Sequence, residues 1–346
     1  MKRILSLFLC GTLAISALSG CTTSPSSSSS SGDTSSAVSP SSSSSSSYEQ
    51  LDFMVLSGPT GVGAAKLISD QMALPESERL FASATVVADN NEINNALING
   101  SADVAAIATN VAANLYAKSD GAIQVLAVNT LGVLYILEKG DSVHSFSDLS
   151  GKTIYATGQG ANPEYVLNHL LTSNGVDPES VQIEWMTAQE VSAKMVSSES
   201  AICMLPVPAA TALMLQDETV RQAISLSDAW DELGAGALAM GCIVARTDYI
   251  EENPDAIQSF LTKYQDSISY VSAEENRQDA AQLVAELQIT PSAAVAEAAI
   301  PQCNLVYLAG DEMQETLEQY YQVLYQANPD SIGGSMPYDA FYYGIS

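Results

Sequence analysis

Leu51-Asp52-Phe53-Met54-Val55-Leu56-Ser57-Gly58-Pro59-Thr60-Gly61-Val62-Gly63 reads as a buried strand that runs into a glycine-rich turn and opens a helix. Gly58, Gly61 and Gly63 let backbone approach a ligand closely, and free N–H groups at a helix start attract an anion or a carbonyl. The same pattern recurs twice. Val104 to Ala108 delivers Thr109-Asn110 at a helix start. Thr153 to Ala156 leads into Thr157-Gly158-Gln159-Gly160-Ala161-Asn162-Pro163, where Pro163 suits the first helical turn. Each loop alone is also what any turn or cap needs; shared features in all of them point to one ligand site at the carboxyl ends of parallel strands.

Outward from these junctions, short apolar runs alternate with amphipathic segments. Further strands are expected at Gln124 to Val128, Gly132 to Leu137, Val181 to Trp185, Ala201 to Leu205, Ala223 to Leu226 and Leu238 to Ala245. Helices are expected at Gly61 to Met72, Ile93 to Asn99, Val111 to Lys118, Glu164 to Ser173, Gln189 to Ser198 and Ala209 to Gln216. Beyond Asn253 the pattern is helical through Tyr325, apart from a short segment near Leu305 to Leu308. Such alternation predicts an α/β fold with largely parallel sheets. The stretch from about Gln50 to Ser346 exceeds the size at which one core keeps growing, so two lobes are expected.

Ahead of this body, Lys2 and Arg3 precede an apolar run from Ile4 to Leu18, and Leu18-Ser19-Gly20-Cys21 closes it. That is the layout of an export signal, and the run is short for a membrane span. It resembles the bacterial lipoprotein signal, which implies cleavage after residue 20 and a lipid on Cys21. An ordinary cleaved signal or an uncleaved anchor would equally export the rest. Thr22 to Ser47 is mostly serine, with too few apolar groups to offset the entropy of ordering, and reads as a flexible tether through residue 50.

Lys plus Arg number 12 against 40 Asp plus Glu, a formal net charge of −28. That balance argues against nucleic acid, which demands a basic footprint, and against electrostatic docking on anionic lipid. With Cys10 in the signal and Cys21 acylated, the remaining cysteines are Cys203, Cys242 and Cys303, an odd number in no metal-like spacing. Cys203 and Cys242 lie in apolar runs and read as buried thiols, with one adventitious bridge as the alternative.

No catalytic element stands out. The first loop lacks the Lys-Ser/Thr ending of a P-loop and the third glycine of a dinucleotide fingerprint, and there is no Gly-x-Ser-x-Gly elbow. His144 and His169, the only histidines, read as exposed or capping. Neither an enzyme, nor a cofactor, nor a metal site is expected.

The run Phe146-Ser147-Asp148-Leu149-Ser150-Gly151-Lys152-Thr153-Ile154, followed by Gly158 to Pro163 and Glu164-Tyr165-Val166-Leu167, resembles the solute-binding proteins of ABC importers in the nitrate, sulfonate and thiamine-precursor (NMT1/THI5-like) group. Ser101-Ala102-Asp103-Val104-Ala105, Met204-Leu205-Pro206-Val207-Pro208-Ala209-Ala210-Thr211, Gly241-Cys242-Ile243-Val244 and Asn253-Pro254 extend it over Leu51 to Tyr325. The resemblance implies a type II periplasmic-binding-protein fold: two α/β lobes, two crossover strands and a cleft between them. Lobe 1 would comprise residues 51–129 plus 234–346, and lobe 2 residues 130–233.

By the same resemblance Ser57, Gly58, Thr60, Gly61, Thr109 and Asn110 would line the cleft from one side. Gly160, Ala161, Asn162 and Pro206 would face them, with Pro208 shaping the wall. Val207 stands where the family often has Glu, which removes a charge. The implied function is capture of a small organic or anionic solute for an ABC permease and its ATPase, by a monomer held outside the cytoplasm. A surface sensor or adhesion lipoprotein is the alternative. Tyr116, Tyr135, Tyr165 and Trp185 are the candidates for stacking on a solute, and Lys66, the nearest base, belongs on the outer face of its helix. An enzyme of the same fold group that builds the thiamine pyrimidine uses a Cys-rich motif, which is absent here.

Overall fold

A computed structural model describes residues 49–346. The signal, Cys21 and the serine tract lie outside the described residues. The body carries eleven strands: β1 (Leu51–Leu56), β2 (Phe81–Val87), β3 (Val104–Ala108), β4 (Ile123–Thr130), β5 (Leu134–Lys139), β6 (Thr153–Ala156), β7 (Gln182–Trp185), β8 (Ala201–Pro206), β9 (Val220–Ser225), β10 (Gly241–Arg246) and β11 (Leu305–Leu308). They form two sheets. The first has the order β11-β4-β10-β3-β1-β2 and the second β7-β6-β8-β5-β9.

The fold is α/β, as expected, but the sheets are mixed rather than largely parallel. β1 runs parallel to β2 and β3, and β6 parallel to β7 and β8. β10 lies antiparallel between β3 and β4, and β5 antiparallel between β8 and β9. The reason is topological. The chain leaves the first sheet at the end of β4, enters the second at β5, and returns only at β10, so these strands cannot keep the direction that βαβ crossovers impose on their neighbours.

Residues Leu131 to Val133 and residues 233–240 carry the two crossings. Met240 N donates to Thr130 O at 2.9 Å and so joins them, while Leu131 N donates to Asn304 O at 3.0 Å and Val207 N to Val133 O at 3.0 Å, which anchors the first crossing at both ends. A Cβ on Gly132 would collide with Ser227 Oγ, so the first crossing depends on glycine.

β2 was not legible in the sequence. It is an edge strand, and Ala82, Ser83 and Thr85 give it little apolar alternation. The expected helix over Gly61 to Met72 is two helices, Pro59–Val62 and Ala65–Ala73, since Gly63 and Ala64 interrupt the ladder. Helices Leu226–Glu232 and Thr247–Glu252 were likewise not anticipated.

Behind the first sheet, Phe53 and Phe81 meet at 5.4 Å between ring centroids, and Phe260 of helix Pro254–Ser272 packs edge-on against Phe53 at 5.1 Å. All three are fully buried, each worth about 1.5–3 kcal/mol of transfer free energy. Between the sheets, Trp230 is also fully buried and meets Tyr320 at 5.6 Å and His169 at 5.3 Å. Its indole donates to Gly236 O at 3.0 Å. His169 is therefore a packing residue whose proton affinity burial pushes down, while His144 is exposed, as read. Lys66 pairs with Asp70 at 2.5 Å on its helix surface.

Cys203, Cys242 and Cys303 are buried and free. Burial pushes the thiols of Cys203 and Cys303 up to about 12. Glu138 is a buried carboxylate on β5 that accepts from Ser142 N, Ser142 Oγ and Val143 N, with Arg221 at 2.5 Å. Burial alone would raise its pKa; these bonds and the guanidinium outweigh that and lower it. Among the described residues no helix is long and apolar enough to cross a membrane.

Candidate functional site: the cleft between the sheets

The carboxyl ends of β1, β3, β6, β7 and β8 converge on one cavity of about 490 Å³. Leu56 to Thr60, Ala88, Asn90, Ala108 and Met240 line it from the first sheet. Thr157, Gly158, Ala161 to Pro163, Met186 to Gln189, Pro206, Pro208 and Ala209 line it from the second, with Val133 and Leu134 at the crossing and Ile289 and Pro291 as a cover. The volume falls in the range of roughly 300–1,000 Å³ typical of small-molecule pockets.

Six of the sequence-derived site residues line this cavity: Ser57, Gly58, Thr60, Ala161, Asn162 and Pro206. Ser57 N donates to Val87 O at 2.6 Å, which pins the loop to β2. Its hydroxyl engages no partner among the described residues. Gly58 has φ +114°, a conformation side chains resist, and a Cβ there would meet nothing. The turn, not crowding, demands glycine at this position. Thr60 Oγ1 donates back to Leu56 O at 3.3 Å.

Gly61, Thr109, Asn110 and Gly160 do not line it. Gly61 lies beneath the first loop, where a Cβ would sit 2.7 Å from Leu56 O. Thr109 is wholly buried, and its hydroxyl donates to Ala239 O at 2.6 Å. Asn110 is buried too, with Nδ2 reaching Gly160 O at 3.4 Å and Ser331 O at 3.3 Å. Their polar groups close the floor by tying elements together.

Asn162 belongs to both descriptions. It lines the cleft, yet it has no exposed surface and its amide is engaged. Nδ2 donates to Thr109 Oγ1 at 2.9 Å and Met240 O at 2.7 Å, and Oδ1 accepts from Tyr320 OH at 2.9 Å. Asn162 sits at the start of helix Asn162–Ser173, behind β6 of the second sheet, whereas Thr109 follows β3 of the first. The residue is a strut between the sheets.

Of the stacking candidates, Tyr116, Tyr135, Tyr165 and Trp185 all lie outside the lining. Tyr116 packs against Phe341 instead, with ring centroids 4.8 Å apart and the rings tilted by 55°. Val207 is buried and packed in the core, so its side chain does not face the cavity. The Val207-Pro208 peptide is cis.

Sequence reading missed the contributions of Asn90, Met186 to Gln189, Met240, Ile289 and Pro291. A signal for one existed: Thr187-x-x-Glu190 is a capping box placed directly after a strand. Among the described residues no group of three or more His, Cys, Asp and Glu could hold a metal ion.

Two mixed sheets joined by two short crossings, with strand ends facing each other over a cleft, are also found in solved proteins. An ABC transporter protein from Parabacteroides distasonis superposes with a TM-score of 0.69 at 19% identity, over 85% of this chain and 98% of that one. The chain has the fold of the periplasmic solute-binding proteins. The aliphatic sulphonate binding protein SsuA from Escherichia coli shares it with a TM-score of 0.66 at 19% identity, over 83% of this chain and 96% of that one. The nitrate-binding protein NrtA from Synechocystis PCC 6803 gives 0.57 at 14% identity, over 82% and 84%. The NMT1/THI5-like family model matches residues 120–277, which cover both crossings and the whole second sheet. No curated protein matches the chain in sequence.

Proposed function

We propose that the protein is an extracytoplasmic solute-binding lipoprotein of an ABC importer. It would be a monomer tethered through a lipid on Cys21 and would deliver its solute to a membrane permease driven by an ATPase. Residues 51–129 with 234–346 act as one lobe and residues 130–233 as the other, hinged at Leu131 to Val133 and residues 233–240. Ser57, Gly58, Thr60, Ala161 and Pro206 contact the solute, and Asn162, Thr109 and Asn110 hold the lobes in register beneath it.

The observation that carries this reading is the cavity itself: about 490 Å³, built equally by loops of both sheets at their carboxyl strand ends, in a fold shared with sulfonate- and nitrate-binding proteins. A cavity walled by two hinged bodies binds more strongly when they close, so solute stabilises the closed form by its differential affinity for it. No covalent step is involved.

A thermal-shift screen tests it. A solute at about a hundred times its dissociation constant adds about 2.7 kcal/mol of stability. The panel comprises nitrate, alkyl sulfonates, thiamine pyrimidines, riboflavin-like aromatics, amino acids and their uncharged amides. At least one saturable stabilisation is expected, and it should be lost when Thr60 is replaced by Trp. A folded, ligand-free protein that responds to nothing would favour the sensor or adhesion reading instead.

A further inference from the structure

The chemistry of the cleft wall narrows the solute. The lining contains no Lys, Arg, His, Asp or Glu and no aromatic residue. Its polar side chains are neutral, and those of Ser57, Thr157 and Gln189 engage no partner among the described residues. Met186, Met240, Ile289, Leu134 and several prolines supply the rest of the surface.

An anion could still bind without a cation if helix starts offered free N–H groups. Here the donors just ahead of two of those starts are already in use. Gly160 N, in the loop before helix Asn162–Ser173, donates to Glu164 Oε2 at 2.6 Å. Thr187 N, at the start of helix Ala188–Ser197, donates to Glu190 Oε2 at 2.9 Å, and Thr187 Oγ1 donates to the same oxygen at 2.8 Å. Across the cleft, Thr109 N is given to Met240 O at 3.2 Å. Pro59 and Pro208, at the other helix starts, have no N–H to give. Two of the helix starts thus carry an intramolecular carboxylate whose charge opposes that of an anion bound nearby. A formal chain charge of −28 adds a long-range field of the same sign.

We infer that the cleft selects an uncharged, mainly apolar organic solute bearing a small hydrogen-bonding group, and rejects anions of the nitrate and sulfonate type. The inference rests on the solute-binding reading above and specifies its substrate class. Glu164 and Glu190 are the specificity-determining residues: they act at the rim as built-in competitors for anions. The size agrees, since about 490 Å³ is many times the share of about 30 Å³ that one water occupies in the liquid, far more room than nitrate fills.

The test uses small molecules from spent bacterial medium, divided by ion exchange into anionic, cationic and unretained pools. Each pool is incubated with the protein and read by native mass spectrometry. Occupancy from the unretained pool alone is the expected result. Occupancy from the anionic or cationic pool alone would overturn the inference and leave the solute-binding reading standing; no occupancy from any pool would overturn both. Hexanesulfonate then probes the cause. It should bind the wild-type protein at least about tenfold more weakly than the Glu164→Gln/Glu190→Gln variant, the change expected for removing two charges from helix starts. Equal affinities in two variants of matched melting temperature would refute the role given to these carboxylates.

Discussion

Asn162 offers the sharpest handle on how the two sheets are held, because one amide makes three bonds that cross between them. Replacing it with Ala removes the donations to Thr109 Oγ1 and Met240 O and the acceptance from Tyr320 OH. Each bond is worth about 0.5–1.5 kcal/mol net. Two of the partners keep other bonds: Met240 O still accepts from Thr109 N, and Thr109 Oγ1 still donates to Ala239 O. Tyr320 OH is fully buried and loses its acceptor, which costs about 1–3 kcal/mol. The Asn162→Ala protein should therefore be destabilised by about 2–4 kcal/mol, a fall in melting temperature of roughly 3–6 °C for a body of this size. The assay is chemical denaturation of wild type, Asn162→Ala, Tyr320→Phe and the double variant. Tyr320→Phe should cost less than Asn162→Ala, and the double variant should cost clearly less than the two combined, since they share one bond. A loss below about 0.5 kcal/mol on Asn162→Ala, or additivity within about 0.3–0.5 kcal/mol, would refute the strut.

Four further outcomes are expected. Phe260→Ala empties a fully buried site between Phe53 and Phe81 and should cost about 3–5 kcal/mol by denaturant titration. Gly58→Ala forces a side chain into φ +114° and should cost about 1–3 kcal/mol although no atom obstructs it, which calorimetry can check. Glu138 and Asp217 have folded pKa values below their ordinary ones, Asp217 at about 2 through its bonds to Lys139 and Thr219. Their stabilisation is present above the ordinary carboxylate range and lost as pH falls through the folded values, so unfolding free energy should decline from about pH 4.5 toward about pH 2. Peptide mapping after brief alkylation should find Cys203, Cys242 and Cys303 unmodified in the folded protein and fully modified in denaturant, because burial holds the thiols of Cys203 and Cys303 near 12 and leaves all three inaccessible.

The junctions after β1, β3 and β6 were readable because each couples an unbroken apolar run to Gly, Ser, Thr or Asn and then to a helix, all within about a dozen residues. That local grammar was enough to locate the cleft. It could not say which polar residue faces solvent. Thr109, Asn110 and Asn162 look in sequence like ligand-binding side chains at helix starts, and their partners, Ala239, Met240, Tyr320 and Ser331, lie up to 221 positions away. The mixed strand order escaped for a related reason: β10 reads as one more apolar run, and only its return from the second sheet makes it antiparallel. Ile289 and Pro291 follow a helix with no turn signal that points toward the cleft, so nothing nearby in the chain announces their contact. β2 was hidden by composition, since an edge strand half exposed to water needs little apolar content.

The most direct test of the cleft as the working site is to fill it. Ala88 on the first-sheet side and Gln189 on the second are both exposed and both line the cavity, so Ala88→Trp and Gln189→Trp insert bulk without disturbing the core. Native mass spectrometry of each variant beside the wild-type protein, all exposed to the same mixture of small molecules, should show bound solute on the wild type and none on either variant at unchanged melting temperature. Undiminished solute on both variants would place the binding site elsewhere and contradict the account.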